Sequence, residues 1–379
     1  MSQEVDTVIA GGQLVGPRGI TQAAIAVDGG RIVLVGRNDH MPAARERINA
    51  EGLFVLPGAI DVHVHFREPG FSHKETWTSA TQAAAVGGVT TVFDMPNTNP
   101  PTATVEALLQ KKIIAERQAL VDFGIYGLIG ETNPAAHLAQ HVDVAAIEAV
   151  SRTAIFSEWT GCKVHIAHES SRFSLPHIRF AKQRGVDLTV ETCPHYLFLS
   201  SADGARLSDA LMRVKPPVRE PGHSEPLWEA LLDGAIDMLS TDHAPHLPEE
   251  KRRASIWDCA SGFPGVETSM RLMLTEINRG RLTLCDYVRM ASYMPAKAFG
   301  LYPRKGSLVV GGDADIVLVD LKVRASIRAD ALHSIGNATP FEAFETVGLP
   351  VWTLVRGRTV AEKGRPVGPQ GWGRMVSRT

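Results

Sequence analysis

The sequence predicts a (β/α) barrel joined to a small β domain to which both chain ends contribute. Three observations point there. Strand-like and helix-like runs alternate through the middle of the 379-residue chain, which implies parallel strands linked by helical crossovers. The two ends read as strands and turns alone. No GxGxxG or GxxxxGK[ST] pattern marks the nucleotide site of an open sheet, so at this length a barrel is favoured.

The elements follow in order. Thr7-Val8-Ile9-Ala10 meets a Gly-Gly turn, and Ala24–Val27 leads through Asp28-Gly29-Gly30 into Arg31–Val35, which are hairpin signals. From Leu56 the pattern changes. Ala59–Phe66 reads as a strand and Thr76–Val86 as an Ala-rich helix stopped by Gly87-Gly88. Val89–Met95 and Asp122–Leu128 are strands around a helix at Val105–Ala119. After Gly130-Glu131-Thr132-Asn133-Pro134 come a helix at Val144–Glu158, a strand at Lys163–His168 and a helix at Leu175–Arg184. Leu188–Glu191 and Met238–Asp242 are the last barrel strands. Beyond Pro303, Gly306–Val310, Asp315–Val319 and Trp352–Arg356 alternate with Gly-rich turns. Residues 1–56 and 304–379 are therefore expected to form the β domain, and 57–303 the barrel.

Composition narrows the function classes. The chain is 44% hydrophobic and 21% charged, with formal net charge −2, so nothing in it resembles the basic stripe of a nucleic-acid binder. No apolar run approaches the roughly 18 residues of a membrane span, and Met1–Asp6 does not start like a signal peptide. Cys162, Cys193, Cys259 and Cys285 form no CxxC pair, which fits reduced thiols and a cytoplasmic setting.

A barrel keeps its chemistry at the C-terminal ends of its strands. The polar residues there are His63 and His65, Asn97, His168, and Asp242 with His243. His63 and His65 stand two apart on a strand, so both imidazoles face one way and can reach one metal ion. Asp242 ends an apolar run, where a carboxylate can bind a metal and also take a proton from an activated water. His168 closes its strand and is the better candidate for the barrel mouth. His165, three residues earlier, is expected to face away and be structural. His195 lies just past a strand, either shaping the site or packing the core.

Pro57-Gly58-Ala59-Ile60-Asp61-Val62-His63-Val64-His65 and Ser240-Thr241-Asp242-His243-Ala244-Pro245-His246 resemble the signatures of the cyclic amidohydrolases: dihydroorotase, allantoinase and hydantoinase. Ser261–Thr268 and Gly311–Leu318 resemble that family's last barrel loop and its entry into the C-terminal β domain. The resemblance implies a distorted (β/α)8 barrel with a β-sandwich from both termini. It also implies a zinc site of one or two ions drawn from His63, His65, His168 and Asp242, with Asp242 as the catalytic proton carrier. Phe66-Arg67-Glu68-Pro69-Gly70 and Met95-Pro96-Asn97-Thr98-Asn99-Pro100 are most similar to dihydroorotase. There an Arg and an Asn hold the substrate's carboxylate, which assigns Arg67 and Asn97, and with them His246, to substrate binding. A guanidinium suits that task as a forked donor to a planar anion.

One departure carries consequences. The family's metal-bridging Lys on the fourth strand and a metal His on the fifth have no counterpart here. About two βα units, on the order of 60 residues at roughly 30 per unit, are missing between Asp122–Leu128 and the Val144–Glu158 helix. His168 alone makes a poor second zinc site, so at most one well-bound metal is expected. Six strands close a barrel poorly, and their free edges invite association into a homo-oligomer. Three readings stay open: a dihydroorotase of pyrimidine biosynthesis, an allantoinase or hydantoinase-like hydrolase of cyclic ureides, and a non-catalytic homologue that partners another enzyme such as a transcarbamoylase.

Overall fold

Six short parallel strands carry the central layer of the computed structural model, which describes residues 4–128, 142–253 and 255–378. They fall into two three-stranded groups. One runs Asp122–Ile125, Val89–Asp94, Ala59–Val64, and the other Val164–Ile166, Leu188–Thr192, Met238–Leu239. Every pairing within a group is parallel. The groups meet where the chain leaves Ala59–Val64: Val64 bridges His243, and the His65 amide donates to the His243 carbonyl at 2.7 Å. On the far side, among the described residues, no bridge joins Asp122–Ile125 to Val164–Ile166. The sheet is thus a (β/α)8-like barrel that does not close. The stretch Gly130–Pro134, on which the missing units bear, lies outside the described residues.

Local sequence explains the crossovers. The helix Trp77–Val86 starts where the Thr76 side chain accepts from the Ser79 amide, and it ends at Gly87. Its alanines pack closely on the sheet, and Phe66, Trp77 and Phe123 form an aromatic chain at 5.1 Å per step, edge-on between Phe66 and Trp77 and tilted between Trp77 and Phe123. Burying each such ring stabilises by roughly 1.5–3 kcal/mol. Val105–Gln118 is capped in the same way by Thr104. Val142–Thr160 and Leu175–Gln183 flank Val164–Ile166.

Strands from both ends of the chain build sheets apart from the barrel, as the fold class implies. Arg31–Gly36, Ala24–Asp28, Val5–Ala10 and Ala44–Asn49 make a four-stranded sheet. A seven-stranded sheet interleaves Gln13–Gly16, Gly19–Gln22 and Phe54–Pro57 with the C-terminal strands Ile316–Ser326, Glu345–Val355, Arg358–Glu362 and Arg365–Pro366. Ile316 pairs with Pro57 in antiparallel register, so the two ends are hydrogen-bonded to each other. Ile9, Ile25, Ile32, Val55, Ile316 and Leu354 fill the space between these sheets. Among the described residues no helix is long and apolar enough to cross a membrane.

Candidate metal centre

His63 and His65 leave the Ala59–Val64 strand on one face, as their spacing requires. Their rings stand 5.3 Å apart. The Nε2 atoms of both approach Asp242 Oδ1, at 3.4 Å from His63 and 3.1 Å from His65. Each ring is held from behind. His63 Nδ1 lies 2.6 Å from Glu191 Oε1, and His65 Nδ1 lies 2.7 Å from Asn97 Oδ1. A ring that donates through Nδ1 presents a bare lone pair at Nε2. Two lone pairs and a carboxylate oxygen therefore face one another in a buried spot, an arrangement that needs a proton or a cation between them. These three residues place one donor atom each within 4.8 Å of the others, so they fit a metal ion. Imidazole and carboxylate donors suit a divalent transition ion.

The electrostatics agree. Burial opposes charge on His63, yet Glu191 and Asp242 raise it to about 9. Burial would likewise raise the Asp242 and Glu191 carboxyls, but the surrounding imidazoles hold both far below the usual carboxylate range. Without a metal, a proton on His63 substitutes for it.

Asp61, at the head of the HxH segment, is a staple between strands. Its Oδ1 accepts from the His63 and Thr241 amides at 3.2 Å each, and its Oδ2 from the Thr241 hydroxyl at 2.5 Å. Burial pushes its carboxyl up to about 6. Arg67, His168 and Asp242 all have positive φ, at 63°, 41° and 47°. A non-glycine residue in that region is strained, and three such residues in one constellation mark it as a site held open by its surroundings.

The other sequence-derived residues fall as follows. His168 lies beside the centre, its ring 5.0 Å from that of His63. The expectation that His165 faces away needs correcting. Its strand ends at Ile166 and the chain then turns, so the alternation argument does not extend to His168. His165 Nε2 reaches Glu191 Oε2 at 3.1 Å, which ties it to the centre through that carboxylate. His195 packs between Tyr196 and Phe263 at 4.1 and 5.1 Å, and its buried Nε2 has no hydrogen-bond partner among the described residues. Burial brings it down to about 3, so it is neutral.

Asn97 spends its carbonyl on His65, which leaves its amide nitrogen as the group it can offer a substrate. Arg67 donates to His246 Nε2 at 2.9 Å and to the Pro245 carbonyl at 3.3 Å. Lys74 pairs with Glu250 at 2.7 Å beside the same imidazole. Burial and the Arg67 and Lys74 charges lower His246 to about 3. The group of Arg67, Lys74, Glu250 and neutral His246 thus carries one net positive charge.

The residue that sequence reasoning missed is Glu191. It accepts from His63, from His165 and, at 3.2 Å, from the His168 amide. A buried glutamate ending the run Leu188-Thr189-Val190-Glu191 was the only signal. No bridging lysine is found: among the described residues, no lysine pairs with the centre's carboxylates. Lys163 is exposed and paired with Asp187.

A second acidic group, Asp122, Asp313 and Asp315, also has metal-like spacing. Its middle is filled by the Lys305 ammonium, 2.7, 3.2 and 2.5 Å from the three carboxylates, so it is a buried ion network rather than a metal site.

Comparison with known proteins gives a consistent picture. Residues 141–360 match the amidohydrolase family, and residues 52–132 match a dihydro-orotase-like family. An L-hydantoinase of Paenarthrobacter aurescens is 31% identical across 98% of both chains, and an allantoinase of Deinococcus radiodurans 31% across 97% of this chain and 98% of its own. A dihydroorotase of Halobacterium salinarum is 38% identical over 81% of this chain and 86% of its own. The solved L-hydantoinase (dihydropyrimidinase) from Arthrobacter aurescens superposes with a TM-score of 0.93 at 30% identity, covering 99% of this chain and 100% of that one. Dihydropyrimidinase from Brevibacillus agri superposes at 0.89 and 25% identity, with 98% of each chain covered. The alignment with the Paenarthrobacter relative runs over 450 positions against 379 residues here, so at least 71 of those positions face a gap in this chain.

Proposed function

The chain belongs to the amidohydrolase family, and from that premise we propose that it opens a cyclic ureide of the hydantoin or dihydropyrimidine class by hydrolysing a ring C–N bond. The observation that supports this substrate class is the end-to-end likeness to the L-hydantoinase, in sequence and in fold.

His63, His65 and Asp242 would hold the metal. A divalent ion there supplies Lewis acidity, which activates water near neutral pH and polarises a carbonyl. The chain's own residues do the rest. Glu191 and Asn97 fix the tautomers of the two imidazoles. Asp242, its carboxyl held ionised, accepts the proton that water loses as the C–O bond forms. It returns that proton to the ring nitrogen as the C–N bond breaks. His246 and Arg67 line the mouth and position the ring.

One observation favours dihydroorotate as a second reading. The net positive charge shared by Arg67, Lys74, Glu250 and His246 is suited to a substrate carboxylate. Dihydrouracil and dihydroorotate differ only by that group, so the two readings separate in one assay. Ring opening of hydantoin, dihydrouracil, allantoin and dihydroorotate should be followed with metal-loaded protein. The first reading expects kcat/KM for hydantoin or dihydrouracil to exceed that for dihydroorotate. The reverse order, with Arg67→Met raising KM for dihydroorotate alone, would replace it by the second.

A further inference from the structure

We propose that the cleft between the N-terminal four-stranded sheet and the C-terminal segment is a binding site for a phosphate-type oxyanion. The inference is independent of the ring-opening reading. The cleft encloses about 570 Å³, with Arg356, Arg358, Arg374 and Trp372 along one wall and Asp6 and Glu46 along the other.

Three guanidiniums converge on a single indole. Those of Arg356, Arg358 and Arg374 lie 4.9, 5.4 and 5.9 Å from the Trp372 ring centre. An aromatic face holds cations in place, but it does not neutralise them. Arg356 has Asp122 as its carboxylate partner. Among the described residues, Arg358 and Arg374 form no ion pair.

The acids opposite do not fill that role. Asp6 is taken by Arg45 at 2.9 Å and by the Gly29 amide at 2.9 Å. Among the described residues Glu46 forms no ion pair with any of the three guanidiniums. Two uncompensated cations therefore face the cleft, crowded against a third. The crowding is felt: burial first, and then the Arg374 charge, bring the Arg356 guanidinium down to about 10. An oxyanion offers several acceptors to two planar forks at once, the geometry in which arginine binds phosphate best.

The site is also mechanically connected to the barrel. The Arg374 amide donates to Asp122 Oδ1 at 2.9 Å, and its carbonyl accepts from the Phe123 amide at 3.0 Å. An anion held by the Arg374 side chain would therefore reinforce the docking of the C-terminal segment on the strand Asp122–Ile125.

The test is calorimetric titration of the purified full chain with inorganic phosphate, against sodium chloride at matched ionic strength. It is repeated on the double variant Arg358→Gln/Arg374→Gln. The expected result is one-to-one phosphate binding by the natural chain, absent with chloride, and weakened roughly tenfold or more in the double variant. No phosphate binding by the natural chain would overturn the proposal. Equal binding by the double variant would overturn it too, because the phosphate would then sit elsewhere, for instance near Arg67. If the double variant fails to fold, Arg358→Gln alone carries the same comparison, since residue 358 is exposed and makes no ion pair among the described residues.

Discussion

At the scale of single residues, the centre turns on what occupies His63 Nε2. Its raised affinity for a proton is a liability once a metal must take the proton's place. The group's folded value, about 9, lies above its unfolded one, near 6.5. In the metal-free chain its contribution to stability is therefore full below about pH 6.5 and is lost as pH rises through about 9. Metal uptake should strengthen over the same window, because it competes with that proton. Glu191 is the main source of the shift, and it also fixes the ring. Glu191→Gln should lower metal affinity by about 10–100-fold and flatten its pH dependence between pH 6.5 and 9. A competing chromophoric chelator, read across that range, measures both. An unchanged affinity with an unchanged pH profile would remove Glu191 from the centre. The grouping of the HxH pair with Asp242 was legible in the sequence because strand alternation and strand ends obey simple rules. Glu191 was not, because a glutamate in an apolar strand declares its partner only once two strands lie side by side. His165 was misjudged for a related reason: alternation holds along a strand, and this strand stops two residues before His168.

At the scale of elements, the barrel and the terminal sheets are joined by charge as well as by apolar packing. Lys305 lies 2% exposed among Asp122 of a barrel strand and Asp313 and Asp315 at the entry to Ile316–Ser326. Arg356, at the end of Glu345–Val355, pairs with Asp122 from the other side, and its amide donates to Asp315. Such a network repays its desolvation only when every member is present. Lys305→Met keeps the volume but leaves three buried carboxylates in mutual repulsion. It should cost about 3–5 kcal/mol, read as a shift in the urea midpoint. A loss under about 1 kcal/mol, the value of an exposed pair, would mean that water reaches the network. None of this was visible from the sequence. Some strands at both ends were found by their alternation and Gly-rich turns, but Gln13–Gly16, Gly19–Gln22 and Ala44–Asn49 were not, and Gly306–Val310, read as a strand, forms none. The ionic link runs between positions 122, 305 and 356, which no local pattern relates.

At the scale of the whole molecule, the open side of the barrel decides how many metals the chain can carry. The described strands leave the edges of Asp122–Ile125 and Val164–Ile166 unpaired with each other. The relative's alignment, with at least 71 positions lacking a counterpart, agrees in size with two absent βα units of roughly 30 residues each. This was legible beforehand because strand and helix runs can be counted against a repeating unit. In place of a further strand, Phe299 touches Phe93 and Tyr126 on one side and His165 on the other, at 5.0, 6.3 and 5.3 Å. Aromatic packing fills the opening, but it brings no ligand. Among the described residues one position thus has three protein donors, His63, His65 and Asp242, while a second would have His168 and nothing comparable. Zinc held by a single imidazole exchanges freely, whereas three protein ligands and a water make a stable site. Protein saturated with zinc and passed through a desalting column should therefore retain one ion per chain by elemental analysis. Asp242→Asn or His65→Ala should retain much less, and His168→Ala should still retain one. Two ions per chain in the natural protein, falling to one in His168→Ala, would mean that a second position is complete after all and that ligands for it come from outside the described residues.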